Sequence, residues 1–139
     1  MAAPPIDGVL ETALYVRDLD RSVAFFADIL DRPLLMRNAR MAALDAGRRS
    51  VLLLFLAGGS ADDMETPGGT IPGHDGNGRL HMAFAIAAAD YIPWHHRLTG
   101  RGIAIDSEVR WPGGGRSLYF TDPDGHVLEL ATPGLWPTY

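Results

Sequence analysis

Two stretches of this chain run through the same order of elements, and that internal repeat limits the available folds more than any other feature. From Val9 to Val16 apolar and polar residues alternate, as in a strand with one covered face. Asp18-Leu19-Asp20-Arg21-Ser22 then reads as a helix start with carboxylates in its first turn. The spacing of Leu19, Val23, Phe26, Ile29 and Leu30 gives that helix one apolar face, and Asp31-Arg32-Pro33 stops it. Short strands fit Leu34 to Asn38, Met41 to Asp45 and Ser50 to Leu56. The order β-α-β-β-β recurs with a strand over Leu80–Ile86 and a helix from about Asp90 to Thr99, with Pro93 in its first turn and Gly100 as its stop. Strands over Ile103–Val109, Arg116–Thr121 and His126–Thr132 complete it, the last two joined by the turn Asp122-Pro123-Asp124-Gly125.

The organisation is one α+β domain spanning 1–139: module one at about 6–57, a Gly-rich linker at about 58–79, module two at about 80–132, and a tail at 133–139. A chain of 139 residues with 47% hydrophobic content suits one core and is short for two ordinary domains. Between Ala57 and Arg79 lie seven Gly, two Pro and three Asp, a composition expected to form no packed element and to act as a linker or lid. The apolar tail Pro133–Tyr139 is expected to pack on the chain or on a second copy.

Composition removes several function classes. With no Cys, disulfides, thiolate nucleophiles and Cys-ligated metals are excluded, so any metal must use His, carboxylate or amide. A net charge of −5 and scattered arginines argue against nucleic acid. No apolar run approaches the roughly 20 residues of a membrane span, and no secretory signal is visible, so a cytoplasmic location is the expectation.

The repeat also nominates a site. Glu11 falls on His81 at an offset of 70, and Ser50–Leu54 falls on His126–Leu130 at an offset of 76. Strand alternation then separates a bulky row (Leu10, Leu14, Val16; Met82, Phe84, Ile86; Leu128, Leu130) from a row holding Glu11, His81 and Glu129 among smaller residues. The equivalent positions are Glu11, Leu53, His81 and Glu129, and three of them carry metal-binding groups. An unpaired carboxylate within Val-Leu-Glu-Leu-Ala is expensive to bury, and a cation would relieve it. One imidazole and two carboxylates suit Zn, Ni, Mn, Fe or Co without choosing among them. Two adjacent substrate oxygens on the open positions would be polarised by Lewis-acid chemistry, with Glu129 also the expected catalytic group.

His74 in the linker, Arg116 and Tyr119 are the candidate substrate-binding residues, with Arg116 and Tyr119 on opposite faces of their strand. Tyr15, Phe25 and Phe26 are expected in the core, His95 and His96 on the helix flank, and His126 exposed after its turn.

Residues 11–26, Glu-Thr-Ala-Leu-Tyr-Val-Arg-Asp-Leu-Asp-Arg-Ser-Val-Ala-Phe-Phe, resemble the opening of glyoxalase, bleomycin-resistance and extradiol dioxygenase proteins, the vicinal-oxygen-chelate superfamily. His81–Ile86 and Tyr119–Leu130 resemble its second ligand strand and its ending. The resemblance covers Val9 to Thr132. It implies two βαβββ modules curling into a cup, one divalent metal on the concave wall, a small-molecule substrate, and usually a homodimer whose sites combine modules of two subunits. Glu11 would then come from one subunit and His81 with Glu129 from the other. Two positions depart from the pattern: many members carry His or Gln where Glu11 stands, and glyoxalase I has a carboxylate near the place of Leu53. Extradiol dioxygenases use two His and one Glu for iron. Fosfomycin-type thiol transferases share the three-ligand count, but no basic cluster suited to a phosphonate is evident here. A metal-dependent lyase, isomerase or oxygenase is therefore the leading expectation. A metal-free protein that sequesters an aromatic or antibiotic ligand is the alternative.

Overall fold

A computed structural model describes all 139 residues. The first module comprises β1 (Glu11–Val16), α1 (Leu19–Leu30), β2 (Leu34–Arg37), β3 (Met41–Gly47) and β4 (Ser50–Leu56), with sheet order β1-β4-β3-β2. A small hairpin, β5 (Met64–Thr66) and β6 (Gly69–Ile71), follows. The second module comprises β7 (His81–Ala85), a 3₁₀ turn (Ala88–Asp90), α2 (Tyr91–Gly100), β8 (Ser107–Arg110), β9 (Arg116–Thr121) and β10 (Val127–Ala131), in the order β7-β10-β9-β8.

Each module closes the same way. Its first strand lies parallel to its last, the helix serving as the crossover, while the remaining pairs are antiparallel. Glu11 pairs with Val51, and His81 with Val127, so the ladders reproduce the offsets of 70 and 76. Local chemistry sets the ends of α1: Asp18 accepts from the Arg21 amide at 3.0 Å, and Asp31 adopts a left-handed conformation that stops the helix. In α2 the helix runs through Gly100, and Gly102, with φ +73, is the left-handed residue beyond it.

Three expectations are corrected. The linker does form an element, because Thr66-Pro67-Gly68-Gly69 supplies a turn that lets β5 and β6 pair. Residues 103–106 stay outside the sheet: the Ile103 amide is taken by the Leu98 carbonyl, closing α2, and Ile103 and Ile105 pack on the core without a ladder. His126 is buried at 1% exposure, for a reason that involves both modules.

Seventeen buried apolar residues from both modules form one core under the two helices. Arg97 of α2 donates to the Ile29 and Asp28 carbonyls at the end of α1, satisfying acceptors that a helix terminus leaves free. His126 ties the modules together: Nδ1 accepts from the Leu80 amide at 3.0 Å and Nε2 donates to the Tyr15 carbonyl at 2.8 Å. Both nitrogens are satisfied by a neutral ring, which stabilises its burial. With both helix-covered faces turned into the shared core, the opposite faces of the two sheets lie outside. The tail folds back, Tyr139 donating to the Ile86 carbonyl at 2.8 Å, though Trp136 stays exposed. No helix is long and apolar enough to cross a membrane.

Candidate functional site

On the outer face of the second sheet, His81 and Glu129 meet. Alternation places Glu129 opposite Tyr119 on β9 and Ala83 on β7, one pleat from the Val127–His81 pair. Glu129 Oε1 lies 3.3 Å from His81 Nε2, with the Glu129 side chain only 5% exposed and His81 at 54%. The other imidazole nitrogen, Nδ1, is 2.8 Å from the Val127 carbonyl oxygen. A carbonyl only accepts, so Nδ1 carries a proton and Nε2 is the ring nitrogen turned toward the carboxylate. A lone pair and a carboxylate oxygen facing each other at this distance repel unless a proton or a metal ion stands between them.

Glu129 is held from behind. Ser117, fully buried, donates to Oε2 at 2.5 Å, and Trp111 Nε1 donates to Ser117 Oγ at 2.8 Å. This chain from indole to hydroxyl to carboxylate leaves Oε1 as the oxygen aimed at His81. Tyr119 stacks beside His81 with ring centroids 6.4 Å apart. Burial first, and then the Glu129 charge beside it, push the Tyr119 phenol above its ordinary value, so the hydroxyl stays protonated and available as a donor.

Glu11 stands elsewhere. It is exposed at the entrance of β1 on the other sheet, and no three His, Asp or Glu side chains of one chain converge as a metal cluster. It borders a cavity of about 710 Å³ on the outer face of the first sheet. Leu53, the fourth equivalent position, contributes to the cavity wall, and β6 and His74 roof it. His74 Nδ1 and the Tyr15 hydroxyl share a hydrogen bond of 2.7 Å, and the His74 ring lies edge-on to Phe55 at 4.5 Å. Tyr15 therefore faces the cavity, a correction to its expected place in the core, whereas Phe26 is buried and Phe25 packs against the core. The signal was already in the alternation, which puts Tyr15 on the row of Glu11 and Ala13.

Arg116 is committed to the helix side of β9, its guanidinium 3.7 Å from the centre of the Tyr91 ring. Tyr91 donates to Glu108 at 2.7 Å, and burial followed by that carboxylate pushes its phenol up to about 12. Ser117 and Trp111 were missed by sequence reasoning. An alternation count from Tyr119 would have placed Ser117 on the Glu129 face, but nothing in the sequence signals that Trp111 reaches it across the Gly-rich turn.

The fold and the paired residues on its outer faces define a duplicated βαβββ protein. The model for the Glyoxalase/Bleomycin resistance protein/Dioxygenase superfamily matches residues 8–130, and the chain belongs to that superfamily. Among characterised relatives, it is 34% identical over 117 residues to the glutathione transferase FosA of Serratia marcescens, covering 84% of this chain and 74% of the relative. It is 30% identical over 129 residues to the metallothiol transferase FosB of Staphylococcus saprophyticus, covering 91% and 78%. A crystal structure of lactoylglutathione lyase from Agrobacterium tumefaciens superposes with a TM-score of 0.88 at 31% identity, covering 96% of this chain and 99% of that one.

Proposed function

We propose that this protein is a divalent-metal-dependent enzyme acting on a small molecule that binds through adjacent oxygens, its site assembled between two copies of the chain. The observation that carries the reading is the His81–Glu129 pair: an imidazole Nε2 and a carboxylate oxygen 3.3 Å apart, fixed from behind by Val127 and Ser117 respectively. Such outer hydrogen bonds orient metal ligands and set the tautomer. His81 and Glu129 would hold the ion from one copy and Glu11 from the other, a set of one nitrogen and two carboxylates that balances a divalent charge and fits Zn, Ni, Mn, Fe or Co. The metallothiol transferase, glutathione transferase and lyase names of the relatives support a metal-dependent enzyme.

The open edges support the dimer. β1 and β7 each pair on one side only, and Val9 and Leu10 beside β1 are 80% and 65% exposed. An unpaired strand edge flanked by apolar residues is a template for association, and a second copy would bring its β7 sheet toward this β1.

When bound, the metal would act as a Lewis acid on the substrate oxygens. The chain's own residues do the rest. Ser117 keeps the Glu129 carboxylate aimed, which suits it to accept a proton from substrate bound alongside. The protonated Tyr119 hydroxyl, beside His81, is placed to donate to a substrate oxygen. His74 lines the neighbouring cavity and is held there by its hydrogen bond to the Tyr15 hydroxyl.

Measured by inductively coupled plasma mass spectrometry after metal-replete expression, the native protein is expected to hold one divalent ion per chain, and Glu129→Ala to lose it. A native protein without stoichiometric metal overturns the reading. The metal-free ligand-binding alternative rests on the apolar cavity, and it predicts tight ligand binding without turnover in the presence of chelator.

A further inference from the structure

Behind the His81–Glu129 pair a chain of contacts runs outward and ends on the tail at 133–139. An indole N–H can only donate, so Trp111 Nε1 takes a lone pair of Ser117 Oγ and leaves the hydroxyl proton for Glu129 Oε2. Ser117 is fully buried and each bond polarises the next, so the direction in which it donates depends on where the indole sits.

Trp111 opens the turn between β8 and β9, Trp111-Pro112-Gly113-Gly114-Gly115. The turn closes on itself, the Trp111 amide donating to the Gly115 carbonyl at 2.8 Å and the Gly114 amide to the Trp111 carbonyl at 2.9 Å. Its successive glycines bring no side chain to pin their path, and they lose much conformational freedom on ordering. What lies on them is the tail. A Cβ on Gly113 would stand 2.5 Å from the Gly134 carbonyl oxygen, one on Gly115 would stand 2.7 Å from the Gly134 carbonyl carbon, and one on Gly134 would strike the Gly115 nitrogen. Two backbones therefore cross in direct contact, which requires glycine on both sides, and Gly134 takes a φ of +104 to make the crossing.

The tail is itself fastened. The Gly134 amide donates to the Tyr139 carbonyl at 2.8 Å and the Tyr139 amide to the Trp136 carbonyl at 3.0 Å, which closes it into a loop. The Tyr139 hydroxyl donates to the Ile86 carbonyl at 2.8 Å, just beyond β7, and the Arg48 guanidinium lies 5.5 Å from the centre of its ring. At the root of the tail, Thr132 Oγ1 accepts from the Arg116 amide at 2.8 Å, next to Ser117. One short segment thus touches the end of the His81 strand, continues the Glu129 strand and crosses the turn that carries Trp111.

We infer that Trp111 and Gly134 are positioning residues for the Glu129 carboxylate: the tail confines the glycine turn to one path, the turn places the indole, and the indole fixes which way Ser117 donates. The use of this coupling rests on the metal proposed for His81 and Glu129, whereas the coupling itself is a property of the metal-free chain.

Two readouts on the full chain test it. In metal-free protein, NMR follows exchange of the Trp111 indole proton and the carboxyl carbon of Glu129, assigned with Trp111→Phe and Glu129→Gln. Gly134→Ala is expected to speed Trp111 indole exchange about tenfold and leave the Trp94 indole unchanged. It is also expected to move the Glu129 carbon resonance in the same direction as Trp111→Phe does. With metal, chelator competition is expected to show binding weakened about tenfold by either substitution. Added to Ser117→Ala, Gly134→Ala is expected to cost no more than about a further twofold, because the path is already cut. Tyr139→Phe keeps the crossing and removes only the Ile86 anchor, so it gives the same pattern at smaller size should Gly134→Ala not fold. Native indole exchange in both tail variants, or losses that multiply in the Ser117→Ala background, overturns the inference. A native protein that takes up no divalent ion, with the exchange and carbon shifts as expected, supports the coupling and refutes only the metal. Metal bound equally by the native protein and every tail and Trp111 variant refutes only the coupling.

Discussion

Ser117 shows how one buried hydroxyl can matter more than its size. It receives from Trp111 and donates to Glu129, so its removal frees a carboxylate that otherwise has one orientation. Ser117→Ala is expected to lower metal affinity about 10–100-fold, the usual effect of losing an outer partner, and Ser117→Thr to restore most of it. Competition against a chromophoric chelator measures both, and equal affinity in native and Ala proteins would reduce Ser117 to packing. Tyr91 gives a second test at this scale. Its folded pKa of about 12 exceeds the ordinary 10.0, because burial and Glu108 both favour the protonated phenol. The raised value means that its stabilisation is complete below pH 10 and is lost as pH rises toward 12. Tyr91→Phe is expected to lose less stability than the native protein across that interval, read from urea midpoints at successive pH values.

Among the elements, the roof segment between β4 and β7 is the one whose behaviour composition misjudged. Its glycines do not prevent structure; they permit close approach, Gly73 against the Ala61 carbonyl and Gly76 against Tyr15. Gly76→Ala is expected to lift the segment from Tyr15 and break its hydrogen bond to His74. Hydrogen exchange over residues 72–78 should then rise at least tenfold while amides of β3 and β4 keep their protection. Unchanged exchange in the roof would show that the clash is absorbed elsewhere. Strand β8 errs in the other direction: Ile103 and Ile105 have strand-like alternation, but closing α2 claims the Ile103 amide first.

At the scale of the molecule, the two sheets turn their helix faces inward and the faces carrying Glu11 and Glu129 outward, which separates Glu11 from His81 and Glu129 within one chain. A site shared between copies has a specific consequence. Glu11→Ala and His81→Ala proteins should each lose metal, yet mixing and exchanging subunits should regenerate one intact site per heterodimer, roughly a quarter of native capacity. No recovery, with exchange verified by mass, would place the three residues in separate sites.

The sequence determined the duplicated βαβββ order, the row on which Glu11, His81 and Glu129 stand, and the offsets of 70 and 76 that the ladders share. It could do so because strand alternation and helix spacing are local properties, readable within about ten residues. His126 was out of reach, since the atoms that satisfy it, the Leu80 amide and the Tyr15 carbonyl, are brought to it only when two modules pack. The same holds for Trp111 behind Ser117, for Tyr15 under its glycine-bearing roof, and for the outward turn of the faces that carry Glu11 and Glu129. These depend on which surfaces of distant segments exclude water together, a choice made by the shared core beneath the two helices rather than by any stretch of chain alone.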